Sequence, residues 1–193
     1  GISQDTRNRA FMPTSGSIIS FDQSVPIFAD KQAISNTFKA TKYKSITNDV
    51  VGAGKIYLSA INGLGEDDVR LSKRRGLSTK RLRGFERGKI GPVDGSDHIG
   101  GNFSAALNFE ASLPNLLPEA YKTEVGWFLD FGNVWGVDYD SSIDDSNKIR
   151  SSSGVAASWL SPIGPLSFVL STNLSKADTD KTESFNFNLG TTF

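Results

Sequence analysis

Arg83 is the residue with the most chemistry within reach. An arginine is charged at every physiological pH, and its planar fork can grip a carboxylate through two parallel bonds. It stands in Leu82-Arg83-Gly84-Phe85, inside a basic stretch with Arg70, Lys73, Arg74, Arg75, Lys80, Arg81, Arg87 and Lys89. Two carboxylates downstream, Glu110 and Asp130, fall on the polar faces of neighbouring predicted strands. A loop folded back over those faces would bring Arg83 to both. Gly84 permits a tight backbone turn there, and Phe85 offers apolar surface to pack against a wall. On the residues alone, a solvated loop cation is the simpler reading of Arg83.

Other chemistry finds less support. His98 is the only histidine and lies in a loop beside Asp97. The many serines offer no nucleophile elbow to fix a triad. Glu110 and Asp130 could be paired as in a glycosidase, but an apparent cationic partner suits structure better than proton donation. Asp138, Asp140, Asp144 and Asp145 lack the spacing and glycine of a calcium loop and read as solvated. No cysteine is present, so there is no thiol nucleophile, disulfide or zinc-thiolate site. The expectation is a protein without enzymatic activity or cofactor. The basic loop fits contact with lipopolysaccharide phosphates or with interior carboxylates. It fits equally a solvated loop balanced by Glu66, Asp67, Asp68, Asp94 and Asp97. Zero net charge and the lack of interleaved aromatics argue against nucleic acid.

The elements that must position these residues are strands. Side chains of a strand alternate between faces. Phe103, Ala105, Leu107, Phe109, Ala111 and Leu113 share one face, opposite Asn102, Ser104, Ala106, Asn108, Glu110 and Ser112. Val125, Trp127, Leu129 and Phe131 oppose Glu124, Gly126, Phe128, Asp130 and Gly132, and near the end Phe185, Phe187, Leu189 and Phe193 oppose Ser184, Asn186, Asn188, Gly190 and Thr192. This alternation predicts about eight strands of roughly ten residues, near 16–25, 32–44, 49–61, 101–113, 123–135, 148–160, 165–174 and 184–193. The 193 residues suffice for one domain, with a long loop over 62–100. No run reaches the ~18 apolar residues of a membrane helix, which leaves a membrane β-barrel open. A soluble sandwich would alternate too. Two features favour the barrel: small uncharged residues on the polar faces, and compact turns alternating with long polar loops. Trp127, Trp135, Trp159, Phe185 and Phe193 suit aromatic girdles at the lipid–water boundary. The chain starts at Gly1 with no signal peptide, which reads as a processed product or an excised piece.

The motifs occur in a recognisable order. Asp5-Thr6-Arg7-Asn8 precedes Pro13-Thr14-Ser15-Gly16. Gly63-Leu64-Gly65 comes before the loop, then Leu82-Arg83-Gly84-Phe85 and Ile90-Gly91-Pro92. Gly100-Gly101-Asn102 opens the strand carrying Glu110. Asp130-Phe131-Gly132-Asn133-Val134-Trp135 follows, then Ile149-Arg150, Gly154, Trp159, the run from Ser161 to Leu166, and Phe187-Asn188-Leu189-Gly190-Thr191-Thr192-Phe193. In this order the chain resembles the C-terminal, surface-antigen region of the Omp85 superfamily, and Ile-Gly-Pro after the loop tip is similar to its BamA-type branch. Leu82 stands where Val is commoner, and Phe193 where Trp also occurs.

The resemblance implies an antiparallel transmembrane β-barrel in the bacterial outer membrane. The eight strands would be the C-terminal half of a barrel of roughly sixteen, or would close on themselves as a small barrel. No POTRA domain is present in the sequence. The resemblance implies an outer-membrane protein assembly factor that inserts barrel proteins through a lateral seam at the last strand. Arg83, Gly84, Phe85, Glu110 and Asp130 would anchor the loop in the lumen. Phe187, Leu189, Gly190 and Phe193 would form the terminal β-signal and seam strand. Partners would be outer-membrane lipids and lipopolysaccharide, unfolded barrel clients and accessory assembly lipoproteins, with dimerisation an option for an isolated half-barrel. Two other classes stay open: a small autonomous barrel serving as structural protein or passive pore, and a soluble β-sandwich binding module.

Overall fold

The structure is a computed structural model and describes residues 1–10, 12–26, 32–65, 68–118, 121–143, 147–161 and 164–189. Its long strands are β2 (Gly16–Ser24), β3 (Ala33–Ser45), β4 (Val51–Gly63), β7 (Phe103–Leu113), β8 (Thr123–Trp135), β9 (Arg150–Ser161) and β10 (Gly164–Ser175). Shorter ones are β1 (Ile2–Asp5), β5 (Val93–Asp94), β6 (Asp97–His98) and β11 (Phe185–Leu189). All but β5 and β6 join one antiparallel nine-stranded sheet in the order β1-β2-β3-β4-β7-β8-β9-β10-β11. β5 and β6 pair with each other inside the long loop. The main sheet is an up-and-down meander, in which each strand pairs with the next one along. No α-helix occurs among the described residues.

The eight predicted strands fall within two residues of observed bounds wherever both ends are described. The ninth, β1, pairs Ile2 with Phe21 and Asp5 with Ile18. Its four residues are all exposed, too short and too polar to show alternation. The last predicted strand, 184–193, is described from Phe185 to Leu189; its Gly190 and Phe193 lie outside the described residues. The closed eight-stranded alternative is not what forms. β1 and β11 stand at opposite ends of the sheet's order, and no pairing joins them among the described residues.

Burial is inverted relative to a soluble sandwich. Register lines up apolar side chains across the sheet: Phe21, Phe38, Leu58 and Ala105 in one row, Ile19, Ala40, Ile56, Leu107 and Phe131 in the next. Leu107, Phe109, Trp127, Val155, Trp159, Phe185, Phe187 and Leu189 on this side are exposed. The opposite side holds the buried polar groups Ser104, Asn108, Asp130, Arg150 and Ser152. An apolar exterior around a polar interior is the arrangement of a membrane barrel wall, where lipid takes the place of a protein core. Trp127 and Trp159 stand toward one end of their strands, and Trp135, stacked on Phe103 with centroids 5.8 Å apart, at the other.

The two ends of the sheet differ in their connections. Residues 46–50 and 114–122 lie at one end; 25–32, 64–102, 136–149 and 176–184 join strands at the other, where the two longest connections, 64–102 and 136–149, are found. The longest folds back across the polar face, carrying the apolar cluster of Leu77, Leu82, Phe85 and Ile90 onto Ala106 and Val134 of the wall. Gly132 allows the approach, since a Cβ there would lie 2.8 Å from the Leu77 Cδ1.

Candidate functional site

Register builds the floor of the site. β4 to β10 place Lys55, Asn108, Asp130, Ser152 and Asn173 in one cross-strand row. The adjacent row on the same face is Ala53, Glu110, Phe128, Gly154 and Ser171. The loop tip, residues 81–85, lies on these two rows.

Arg83 is held from several directions at once. Its Nε and Nη2 donate to Asp130 Oδ2 and Oδ1 at 2.7 and 2.6 Å, and its backbone N–H donates to Oδ2 at 3.1 Å. Nη2 also lies 2.9 Å from Glu110 Oε1. The guanidinium stacks on the Phe128 ring, 3.8 Å from its centroid. A planar guanidinium can grip a carboxylate through two bonds while lying flat on a ring, a combination the compact ammonium of a lysine does not offer. Glu110 gives its other oxygen to Lys55 Nζ at 2.7 Å. Two cations and two carboxylates thus neutralise one another in a largely desolvated interior. Burial works against the Arg83 charge, but its hydrogen bonds to Asp130 and the charge of Glu110 outweigh it, so its pKa lies above the ordinary value.

The tip's backbone is read as closely as its side chain. Asn108 Nδ2 donates to the Arg81 carbonyl and to Asp130 Oδ1, both at 2.8 Å. Ser152 Oγ donates to the Arg83 carbonyl. Asn173 Nδ2 donates to the Gly84 carbonyl at 2.8 Å. Gly84 sits at φ +88°, and a Cβ on it would meet Asn173, Ser152 and Ser171 at 3.1–3.2 Å. The left-handed backbone favours glycine here, and a Cβ would also require these three side chains to shift by a few tenths of an ångström. Phe85 is 2% exposed within the apolar cluster. Toward the compact turns, a cleft of about 170 Å³ opens below the tip, lined by Tyr43, Lys55, Arg83, Glu110 and Glu124 among others.

All five residues expected at the loop anchor, Arg83, Gly84, Phe85, Glu110 and Asp130, come together. Sequence reasoning missed Lys55, Asn108, Phe128, Ser152 and Asn173. Their signal was parity: each occupies the polar-face position of its strand, but only the register shows that they share a row. It also missed a second ion pair. Arg150 Nε and Nη2 donate to Asp180 Oδ2 and Oδ1 at 2.9 and 2.8 Å, with both side chains fully buried.

Asp138 is exposed, as expected of a solvated carboxylate, but it also has partners: it accepts from the Val69 N–H at 2.6 Å and from Arg74 Nη2 at 2.8 Å. Burial pushes its pKa up, but these donors and Asn102 prevail and hold it below the ordinary carboxylate value. In the basic loop, Arg74 pairs with Asp138, Arg83 with Asp130 and Glu110, and Arg81 stacks 3.6 Å over the Tyr57 ring, while Arg70, Lys73, Lys80 and Arg87 are exposed. Glu66, Asp67, Asp144 and Asp145 lie outside the described residues. His98 turns its Nε2 to the Thr179 carbonyl at 3.0 Å.

β11 is one of the two edge strands of the sheet among the described residues, β1 being the other. Phe187 and Leu189 face outward beside Phe168 and Leu166 of β10, with the Phe168 and Phe187 rings 5.1 Å apart.

The Omp85 superfamily domain matches residues 1–193. The outer membrane protein assembly factor BamA of Neorickettsia risticii is 28% identical over 193 residues, covering 95% of this chain and 25% of that protein. BamA of Neisseria meningitidis serogroup B is 26% identical over 225 residues, covering 100% of this chain and 28% of that protein. The crystal structure of Haemophilus ducreyi BamA lacking POTRA domains 1–3 superposes with a TM-score of 0.88 at 25% identity, covering 96% of this chain and 40% of that one. The chain thus spans about a quarter of the length of these two relatives.

Proposed function

The chain belongs to the Omp85 superfamily and is a β-barrel wall of the bacterial outer membrane, and on that footing we propose that it is the seam-bearing part of a barrel-protein assembly factor. The observation that supports the proposal is the grip on Arg83, which ties the long loop to β7 and β8, while Ser152 of β9 and Asn173 of β10 hold the backbone of its tip. β11 contributes the seam. It is an edge strand, and an exposed edge presents a row of backbone donors and acceptors that can template an incoming strand. Assembly at this edge uses hydrogen bonding and membrane perturbation, with no bond made or broken covalently. Its partners are unfolded barrel clients, accessory assembly lipoproteins, and the lipids and lipopolysaccharide around the apolar face. The locked loop gives the seam a fixed backing while client strands come and go.

The test is Arg83→Ala in the full-length protein, read by the amount of folded client barrels in the outer membrane. Client assembly is expected to drop severalfold while the variant itself still reaches the membrane. Wild-type client levels with normal barrel stability would remove the loop lock from the mechanism.

A further inference from the structure

The Arg150–Asp180 pair lies outside the grip on Arg83, and what it holds is the loop before the last strand. β10 continues to Ser175, but its ladder with β11 ends at Leu170 opposite Phe185. One more backbone bond follows, from the Ser171 N–H to the Ser184 carbonyl at 2.9 Å. From Glu183 backward the chain turns to the loop tip. The Glu183 N–H donates to the Gly84 carbonyl, the Glu86 N–H to the Lys181 carbonyl, and the Lys181 N–H to the Lys89 carbonyl, at 3.0–3.2 Å. Phe85 and Thr182 face each other across this short bridge.

Asp180 sits at the base of that turn. It accepts two bonds from Arg150 of β9 and one from the Ala177 N–H at 2.7 Å. Arg150 is steadied in turn by Asn133 Oδ1 at 2.5 Å and the Lys148 carbonyl at 3.1 Å. A bidentate pair with no solvent access has one favourable geometry, so it fixes direction as well as distance. We propose that Arg150 and Asp180 are positioning residues for the seam strand: their pair holds residues 176–183 against the loop tip and so sets where β11 leaves β10. Arg83 and Arg150 are then two anchors of one unit, the first holding the tip on the wall, the second holding the final loop on the tip. For its consequence in assembly the inference rests on the seam reading above.

The experiment is site-resolved amide hydrogen exchange on the full-length protein in lipid bilayers, comparing wild type with Asp180→Asn. Breaking the pair should open the unit locally, in the manner of a small cooperative segment. Exchange at Glu86, Glu183 and Ser171 should accelerate about tenfold or more, while amides of residues 103–113 stay as protected as in wild type. The Ser171 amide reports the outer end of the last strand. If it is unchanged while Glu183 accelerates, the clamp does not set the strand end and the proposal fails. Uniform acceleration through 103–113 would reduce the pair to general stabilisation and also overturn it. Should Asp180→Asn not fold, Arg150→Lys keeps the charge and removes the two-pronged grip on Asp180. The same selective release of Glu183 and Ser171 is expected, and unaltered Ser171 exchange would again refute the proposal. Accelerated Ser171 exchange with normal client assembly would uphold the clamp and count against the seam reading.

Discussion

Asp130 accepts three bonds from Arg83 and one from Asn108, and its side chain is fully buried, whereas Glu110 is partly exposed and divides itself between Arg83 and Lys55. The two carboxylates looked equivalent in the sequence, yet the structure ranks them. Removing one partner of a buried pair strands the other charge, at a cost of about 3–5 kcal/mol. A partly solvated partner costs less, because water and Lys55 take up the slack. Asp130→Asn should therefore destabilise the barrel by about 3–5 kcal/mol. Glu110→Gln should cost about 1 kcal/mol or less. Urea unfolding of the full-length protein in lipid vesicles measures both, and equal losses would show that Asp130 has no special place. On the residues alone Arg83 read as a solvated cation; the order of motifs, through its resemblance to the Omp85 superfamily, is what made Arg83, Glu110 and Asp130 legible as a set. Asp180 was not legible. It lies in a polar loop beside Asp178 with nothing to mark it as buried. Its partner Arg150 did carry a signal, as a lone charge opening a strand of serine, glycine and alanine.

At the scale of elements, strand spacing depends on small residues at the crossings. Gly154 of β9 is opposite Phe128 of β8 and Ser171 of β10. A Cβ there would lie 2.0 Å from the Leu170 carbonyl oxygen, 2.8 Å from Ser171 Cα and 2.9 Å from the tip of Phe128. Two of those contacts are backbone, so a rotamer change cannot relieve them. Gly154→Ala should push β9 from β10 and tilt the ring on which Arg83 stacks, costing about 1–3 kcal/mol. Thermal unfolding of the full-length variant by loss of heat-modifiable mobility tests this; an unchanged midpoint would mean that the two strands adjust freely. Period-two alternation made the long strands readable. β1 escaped because its four residues carry no alternation, and β5 and β6 because two-residue strands hold no pattern at all. The inward fold of the long loop had one visible sign, its apolar residues Leu77, Leu82, Phe85 and Ile90 scattered among cations.

For the molecule as a whole, the decisive fact is which side of the sheet is apolar. The sequence left both a membrane barrel and a soluble sandwich standing, because alternation says that two faces differ and not which one is covered. The folded loop answers this by covering the polar face and leaving Leu107, Phe109, Trp127 and Val155 uncovered. Lipid must then supply what a second sheet would supply in a sandwich. That difference can be measured at one position. Leu107 is 37% exposed near the middle of β7, with Ile56 and Phe131 as cross-strand neighbours. In water, an arginine at such a site keeps its charge solvated and shifts stability by only about 0.5 kcal/mol either way. At the midplane of a bilayer the same charge costs about 2–4 kcal/mol. Leu107→Arg in the full-length protein should therefore lose about 2–4 kcal/mol of unfolding free energy in lipid vesicles. Asn108→Ser, one residue along and facing the lumen, tests the other side and should lose only the bonds that Asn108 makes to Arg81 and Asp130, about 1–3 kcal/mol. If lowering bilayer thickness relieves the Leu107→Arg loss and leaves the Asn108→Ser loss unchanged, the apolar face is the lipid face; equal response of both would contradict the inside-out wall.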